Sequence, residues 1–146
     1  MIYYTKNDKE TEKVGRLVAE RLDKSGKSRA FVALKGEMGV GKTAFTRGFA
    51  SYFGISGVKS PTYTVVNEYR GKKNLYHFDM YRITDGDDLY SIGYDDYVAS
   101  DGYCIAEWSE NIEDFIPLDS LTVQISRVIG KENEREILVD YEASGI

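Results

Sequence analysis

Apolar residues recur at helical spacing early in the chain, at Val14, Leu17, Val18 and Leu22. Asn7 followed by Glu10 has the form of a capping box before that run, and Gly26 closes it. The pattern predicts an amphipathic helix over roughly residues 8–24. Ala30-Phe31-Val32-Ala33-Leu34 is a short unbroken apolar run, which reads as a buried strand. Helical period returns from Lys42 to Phe53, with Phe45, Phe49 and Phe53 on one face and Gly54 as the stop.

Beyond Gly54 the period changes to that of strands. Tyr63–Tyr69 and Leu75–Tyr81 flank Gly71-Lys72-Lys73-Asn74 and predict an antiparallel hairpin. The acidic stretch Asp85–Asp101 carries Leu89, Ile92 and Val98 and is expected to be partly helical. Tyr103-Cys104-Ile105-Ala106 reads as a second buried strand. Ser109–Phe115, followed by Pro117, reads as a short helix. Leu121–Ile129 and Glu134–Tyr141 predict a closing hairpin around Gly130-Lys131-Glu132-Asn133. The order α-β-α followed by mostly β predicts an α/β fold: one three-layer domain over residues 1–146 with a mixed parallel and antiparallel sheet.

Composition narrows the function classes. The net charge is −5 and the basic residues are scattered. A chain that grips RNA or DNA unaided normally carries a basic surplus, so strong direct binding of nucleic acid is not expected. A single histidine excludes a multi-histidine metal site, and a single cysteine excludes an intramolecular disulfide. No run approaches about 20 apolar residues, so no membrane span is expected. The N-terminus turns polar at once, as in a cytoplasmic protein.

The segment Gly36-Glu37-Met38-Gly39-Val40-Gly41-Lys42-Thr43 matches the phosphate-binding P-loop pattern, with a buried strand before it and a helix after it. Glycines allow backbone N–H groups to turn inward around phosphate oxygens, and the helix N-terminus adds its positive end. Lys42 is expected to reach the terminal phosphates, and the Thr43 hydroxyl to ligate Mg²⁺. Such a site needs an acidic group from a neighbouring strand end. Asp79 ends Leu75-Tyr76-His77-Phe78, and Glu107 ends Tyr103–Ala106; both qualify. His77 shares a strand face with Asp79 and reads as a satisfied structural histidine ahead of a base. Trp108 is expected to leave the strand face of Glu107, towards nucleotide, partner or core. Ser60-Pro61-Thr62-Tyr63 reads either as a γ-phosphate sensor or as a simple turn.

The P-loop, Ser60-Pro61-Thr62-Tyr63, His77-Phe78-Asp79-Met80-Tyr81-Arg82 and Glu107-Trp108 occur in the order and spacing of the TsaE (YjeE) ATPases. Thr11, Gly15 and Ala19 are similar to that family's first helix. The resemblance spans roughly residues 8–140 and thins in the C-terminal hairpin. Met80 stands where leucine is usual, and Ala44 where a second hydroxyl is common.

The resemblance implies an ATPase that helps make threonylcarbamoyladenosine in tRNA without itself transferring the group. Such a protein acts on a TsaB–TsaD complex and meets tRNA only indirectly. It implies that Thr43 and Glu107 hold Mg²⁺, that Lys42 holds phosphate and that Asp79 orders water. It also implies that Glu37, Met38, Gly39, Val40 and Gly41 line the nucleotide, with Thr11 near base and ribose. Three rivals remain. A small-molecule kinase lacks its arginine-bearing lid, since residues 85–101 contain no arginine, and a GTPase lacks N-K-x-D. A nucleotide-sensing adaptor without useful hydrolysis has no missing motif, and no cis arginine finger is identifiable. Tyr90, Tyr94, Tyr97 and Trp108 together are expected to form an aromatic partner surface.

Overall fold

The computed structural model describes residues 1–146. Its centre is a seven-stranded mixed sheet. In chain order the strands are β1 (Ile2–Thr5), β2 (Arg29–Lys35), β3 (Val66–Tyr69), β4 (Leu75–Asp79), β5 (Gly102–Glu107), β6 (Leu121–Val128) and β7 (Lys131–Asp140). The helices are α1 (Asp8–Lys24), α2 (Lys42–Tyr52), α3 (Gly86–Ser91) and α4 (Tyr94–Ala99). Ser109–Phe115 forms a 3-10 segment. The spatial order is β1-β7-β6-β2-β5-β4-β3. Strand β2 lies parallel to both β5 and β6, and β4 parallel to β5. Strands β1, β3 and β7 run antiparallel to their neighbours. The mixed α/β sheet expected from the element order is therefore present.

Alternation along the inner strands sorts two cores. Val32, Leu34, Tyr103, Ile105 and Leu75 face α1 and α2, where Phe45, Phe49, Val18 and Leu22 are buried. Phe31, Ala33, Cys104, Ala106 and Phe78 face the other way, against Leu89, Tyr94 and Ile112. The expected phenylalanine face of α2 is real: Phe45, Phe49 and Phe53 stack in series and meet Tyr103. Asn7 caps α1 as expected, accepting from the Glu10 amide at 2.9 Å.

Helices α1 and α2 touch backbone to backbone. A Cβ on Gly48 would lie 1.8 Å from the Glu12 carbonyl oxygen, and one on Gly15 2.1 Å from that of Phe45. Only glycine permits this approach.

Several boundaries differ from expectation. Leu17 is exposed, because the buried stripe of α1 runs through Val14, Gly15, Val18, Ala19 and Leu22. The strand expected from Tyr63 starts only at Val66: the Val65 amide donates to the Pro61 carbonyl at 2.8 Å and closes a turn. Its partner stops at Asp79, whose side chain accepts from the Tyr81 amide at 2.9 Å and bends the chain away. The closing hairpin turns earlier, with β7 starting at Lys131. Strand β1 was not anticipated; it exists through pairing with β7.

Candidate functional site

The parallel strands β2, β4 and β5 all end at one edge of the sheet. In register, Leu34 lies opposite Glu107 and Asp79 opposite Glu107. The P-loop follows β2 directly, so both candidate carboxylates arrive beside it. A cleft of about 530 Å³ opens there, lined among others by Gly39, Gly41, Lys42, Thr43, Asp79 and Glu107. The sequence-predicted groups of both strands and the loop thus share one cavity.

The loop takes its curvature from glycine: Gly39 and Gly41 have φ of 74° and 115°, values that L side chains rarely adopt. The Lys42 side chain is buried; its Nζ donates to the Gly36 carbonyl at 2.7 Å and sits 4.3 Å from the Trp108 ring centroid. Its charge therefore has a carbonyl and an aromatic face for neighbours. The Thr43 side chain is half-buried at the cleft. Glu37 and Met38 are exposed, whereas Val40 is buried. Thr11 is buried beneath the loop. Its hydroxyl pairs with that of Thr5 at 3.0 Å, and its methyl lies 3.8 Å from where a Cβ on Gly41 would sit.

The two carboxylates differ in setting. Glu107 is buried, and its Oε2 lies 2.5 Å from Nε2 of the fully buried His77. Asp79 is more open and caps its own turn through the Tyr81 amide. His77 does share the Asp79 face, and its Nε2 is satisfied, but Nδ1 has no partner.

Trp108 leaves the strand with φ 56°, is half-buried over Lys42 and meets the Tyr81 ring edge-on at 5.1 Å. The side chains of Ser60 and Thr62 also line the cleft and bond each other at 2.7 Å. The expected aromatic surface does not hold as a unit. Tyr94 belongs to the core, donating to the Phe115 carbonyl and packing on Phe31 and Phe78. Tyr97 packs on Tyr76 and Phe78. Tyr90 alone of the four is fully exposed.

Four arginines escaped the reading of the sequence as site residues. Arg47 on α2 and Arg82 after β4 line the cleft. Arg82 makes no ion pair and faces the exposed Tyr63 ring at 5.9 Å; its place three residues after Asp79 in the quoted motif was the available signal. Arg127 and Arg135, from β6 and β7, hold the P-loop from outside. Arg127 bonds the Glu37 carboxylate and the Met38 carbonyl, and the Arg135 Nε donates to the Val40 carbonyl at 2.8 Å. No local pattern in the closing hairpin marks them.

Comparison with known proteins finds relatives along nearly the whole chain. The family model described as "Threonylcarbamoyl adenosine biosynthesis protein TsaE" matches residues 5–137. A tRNA threonylcarbamoyladenosine biosynthesis protein TsaE of Bacillus subtilis is 38% identical over 135 residues, 91% of this chain and 80% of the relative. One of Haemophilus influenzae is 43% identical over 114 residues, 76% and 72% of the two chains. The crystal structure of Bacillus subtilis YdiB superposes with a TM-score of 0.74 at 34% identity, covering 94% of this chain and 82% of that one. With the P-loop, Asp79 and Glu107 in one cleft and the match running through nearly the whole sequence, this chain belongs to the TsaE family, whose members take part in tRNA threonylcarbamoyladenosine biosynthesis.

Proposed function

We propose that the cleft binds ATP with Mg²⁺ and hydrolyses it slowly, and that this hydrolysis resets a cytoplasmic TsaB–TsaD complex between turnovers. The observation that carries the reading is the convergence of Lys42, Thr43, Asp79 and Glu107 on one cavity at the strand ends. No trio of His, Cys, Asp or Glu side chains converges to hold a metal ion alone. That fits Mg²⁺, which keeps few protein ligands and is completed by substrate phosphates and water.

In this reading the backbone N–H groups that the P-loop and the first turn of α2 leave free cradle the phosphates, the Val40 amide being taken by the Glu37 carbonyl, and Lys42 pairs with their charge. Thr43 and Glu107 would hold Mg²⁺, which when bound would supply positive charge against the charge developing on the phosphates. Asp79, the more open carboxylate, orients the attacking water. Thr11 shapes the loop floor on the nucleoside side. The exposed Tyr63, Tyr81 and Met38 near the cleft support docking of a protein over it, since exposed apolar side chains of this kind mark interface cores.

The deciding experiment depletes the protein in its native cell and measures threonylcarbamoyladenosine in tRNA by mass spectrometry. Loss of the nucleoside, with no rescue by Lys42→Ala, is expected. Hydrolysis by the isolated chain should be slow and should rise when TsaB–TsaD is added. Undiminished threonylcarbamoyladenosine would overturn the reading. Nucleotide binding with no hydrolysis, even in the complex, would leave a sensing adaptor in its place.

A further inference from the structure

We infer that His77 is a positioning residue: from inside the sheet it fixes the Glu107 carboxylate in the orientation that presents its free oxygen to the metal. The inference rests on the reading of the cleft as an ATP–Mg²⁺ site. His77 is fully buried on β4, and its Nε2 lies 2.5 Å from Glu107 Oε2. The parallel register sets this up. Asp79 faces Glu107 across β4 and β5, so His77 lies two positions back on the same sheet face and reaches forward beneath the carboxylate.

With Nε2–H donating to Oε2, that oxygen is engaged from behind and Oε1 remains for the cleft. Glu107 also sits next to Met80, whose amide donates to the Glu107 carbonyl at 3.0 Å, so both ends of the residue are held. Asp79 has no such support; its only side-chain bond is to the Tyr81 amide of its own turn. The two carboxylates are thereby unequal, and the buried, braced one suits a direct ligand.

The second ring nitrogen sharpens the point. His77 Nδ1 is buried without any partner, and an unsatisfied buried polar atom is destabilising. An apolar residue would fill the same place among the core side chains without that penalty, so packing alone does not account for a histidine here. The bond to Glu107 does. Outer-shell partners of metal ligands hold ligand orientation, and losing one weakens metal affinity by about 10–100-fold.

The test compares wild type with His77→Leu, which removes the donor, and His77→Gln, which retains one near the position of Nε2. Mn²⁺ binding to the ADP complex is followed by electron paramagnetic resonance, and ADP affinity is titrated separately in EDTA. We expect His77→Leu to weaken Mn²⁺ binding by about 10–100-fold, with ADP affinity in EDTA unchanged and most of the metal affinity restored in His77→Gln. If His77→Leu does not fold, His77→Asn takes its place, since its amide is too short to reach Glu107. A metal affinity within twofold of wild type would overturn the role of His77 and leave the ATP–Mg²⁺ reading standing. Equal loss of metal and EDTA-nucleotide affinity would mark a purely structural residue and also overturn it. Absence of Mn²⁺-dependent ADP binding in the wild type would overturn the underlying reading, and this inference with it.

Discussion

The two walls of the cleft are shaped by different means. On the P-loop side the unusual backbone angles fall on glycines, Gly39 and Gly41 among them. The loop's outward carbonyls and the Glu37 carboxylate are gripped by Arg127 and Arg135. On the opposite side the positive φ values fall on Val65 (67°) and Trp108 (56°), the only non-glycine residues in that region of conformational space. A β-branched or bulky residue there carries strain of order 1–3 kcal/mol. The P-loop wall is thus relaxed locally and braced from outside. The carboxylate wall is strained locally and held in place by its surroundings: Val65 by the bonds of Pro61 and Asp79, Trp108 by Lys42 and Tyr81. A binding surface that must accept charge at fixed points benefits from the first arrangement. One that has to answer to ligand or partner benefits from the second, because strained segments sit closer to their alternatives.

Removing the charge of the P-loop wall should have the largest effect. Lys42→Ala is expected to weaken ATP binding by roughly 100-fold, about 2–3 kcal/mol for lost charged hydrogen bonds, with little change in thermal stability. Calorimetric titration gives the answer, and wild-type-like affinity would remove the P-loop from the site.

Next comes the frame beneath that wall. Gly48→Ala forces a Cβ into the Glu12 carbonyl. Overpacking of this kind costs about 1–3 kcal/mol, a fall in Tm of about 2–12 °C for a chain of this size. A thermal melt within 1 °C of wild type would mean that α1 and α2 are not so closely packed.

The carboxylate wall should respond unequally. Glu107→Gln is expected to lower Mg²⁺ affinity of the nucleotide complex at least roughly tenfold, the lower bound for loss of an outer-shell partner, with nucleotide affinity in EDTA unchanged. Asp79→Asn should instead slow hydrolysis with metal affinity within about twofold. The reverse pattern would exchange the two roles.

Smaller again is the brace. Arg135→Gln removes one bond to the Val40 carbonyl, worth about 1 kcal/mol, and should weaken ADP about fivefold, chiefly through faster dissociation in stopped flow. No change would show that the loop holds its shape unaided.

Alkaline titration should act through the core. Burial pushes the Cys104 thiol up to about 12 and the Tyr103 phenol up to about 12, and it raises Tyr94 as well. Raised folded-state values mean that the native state holds these protons more tightly than the unfolded chain. Their contribution is therefore full below the free thiol value of 9.0 and is lost as pH climbs from there towards 12. Denaturant midpoints that stay flat from pH 8 to pH 11 would contradict this.

The features legible in the chain itself are those whose cause is local. The stripe of α1, the phenylalanine face of α2, the buried runs of β2 and β5 and the P-loop follow from hydrogen bonds and side-chain periods spanning a few residues. Asp79 and Glu107 were legible as strand ends, because a strand declares where its apolar run stops.

Tertiary structure alone decided the rest. Strand β1 is four residues long and is a strand only because β7 pairs with it from the far end of the chain. The turn at Val65 overrides a β-favouring Tyr-Thr-Val-Val sequence, since a bond back to Pro61 and a bond from Asp79 outweigh its local preference. Glu107 is braced and Asp79 open because parallel register slides His77 beneath one of them only. Arg127 and Arg135 reach the P-loop across about 90 residues of sequence, a distance over which no periodicity carries information. What a residue is can be read from its neighbours in the chain; whom it meets depends on which strands pair and in what register.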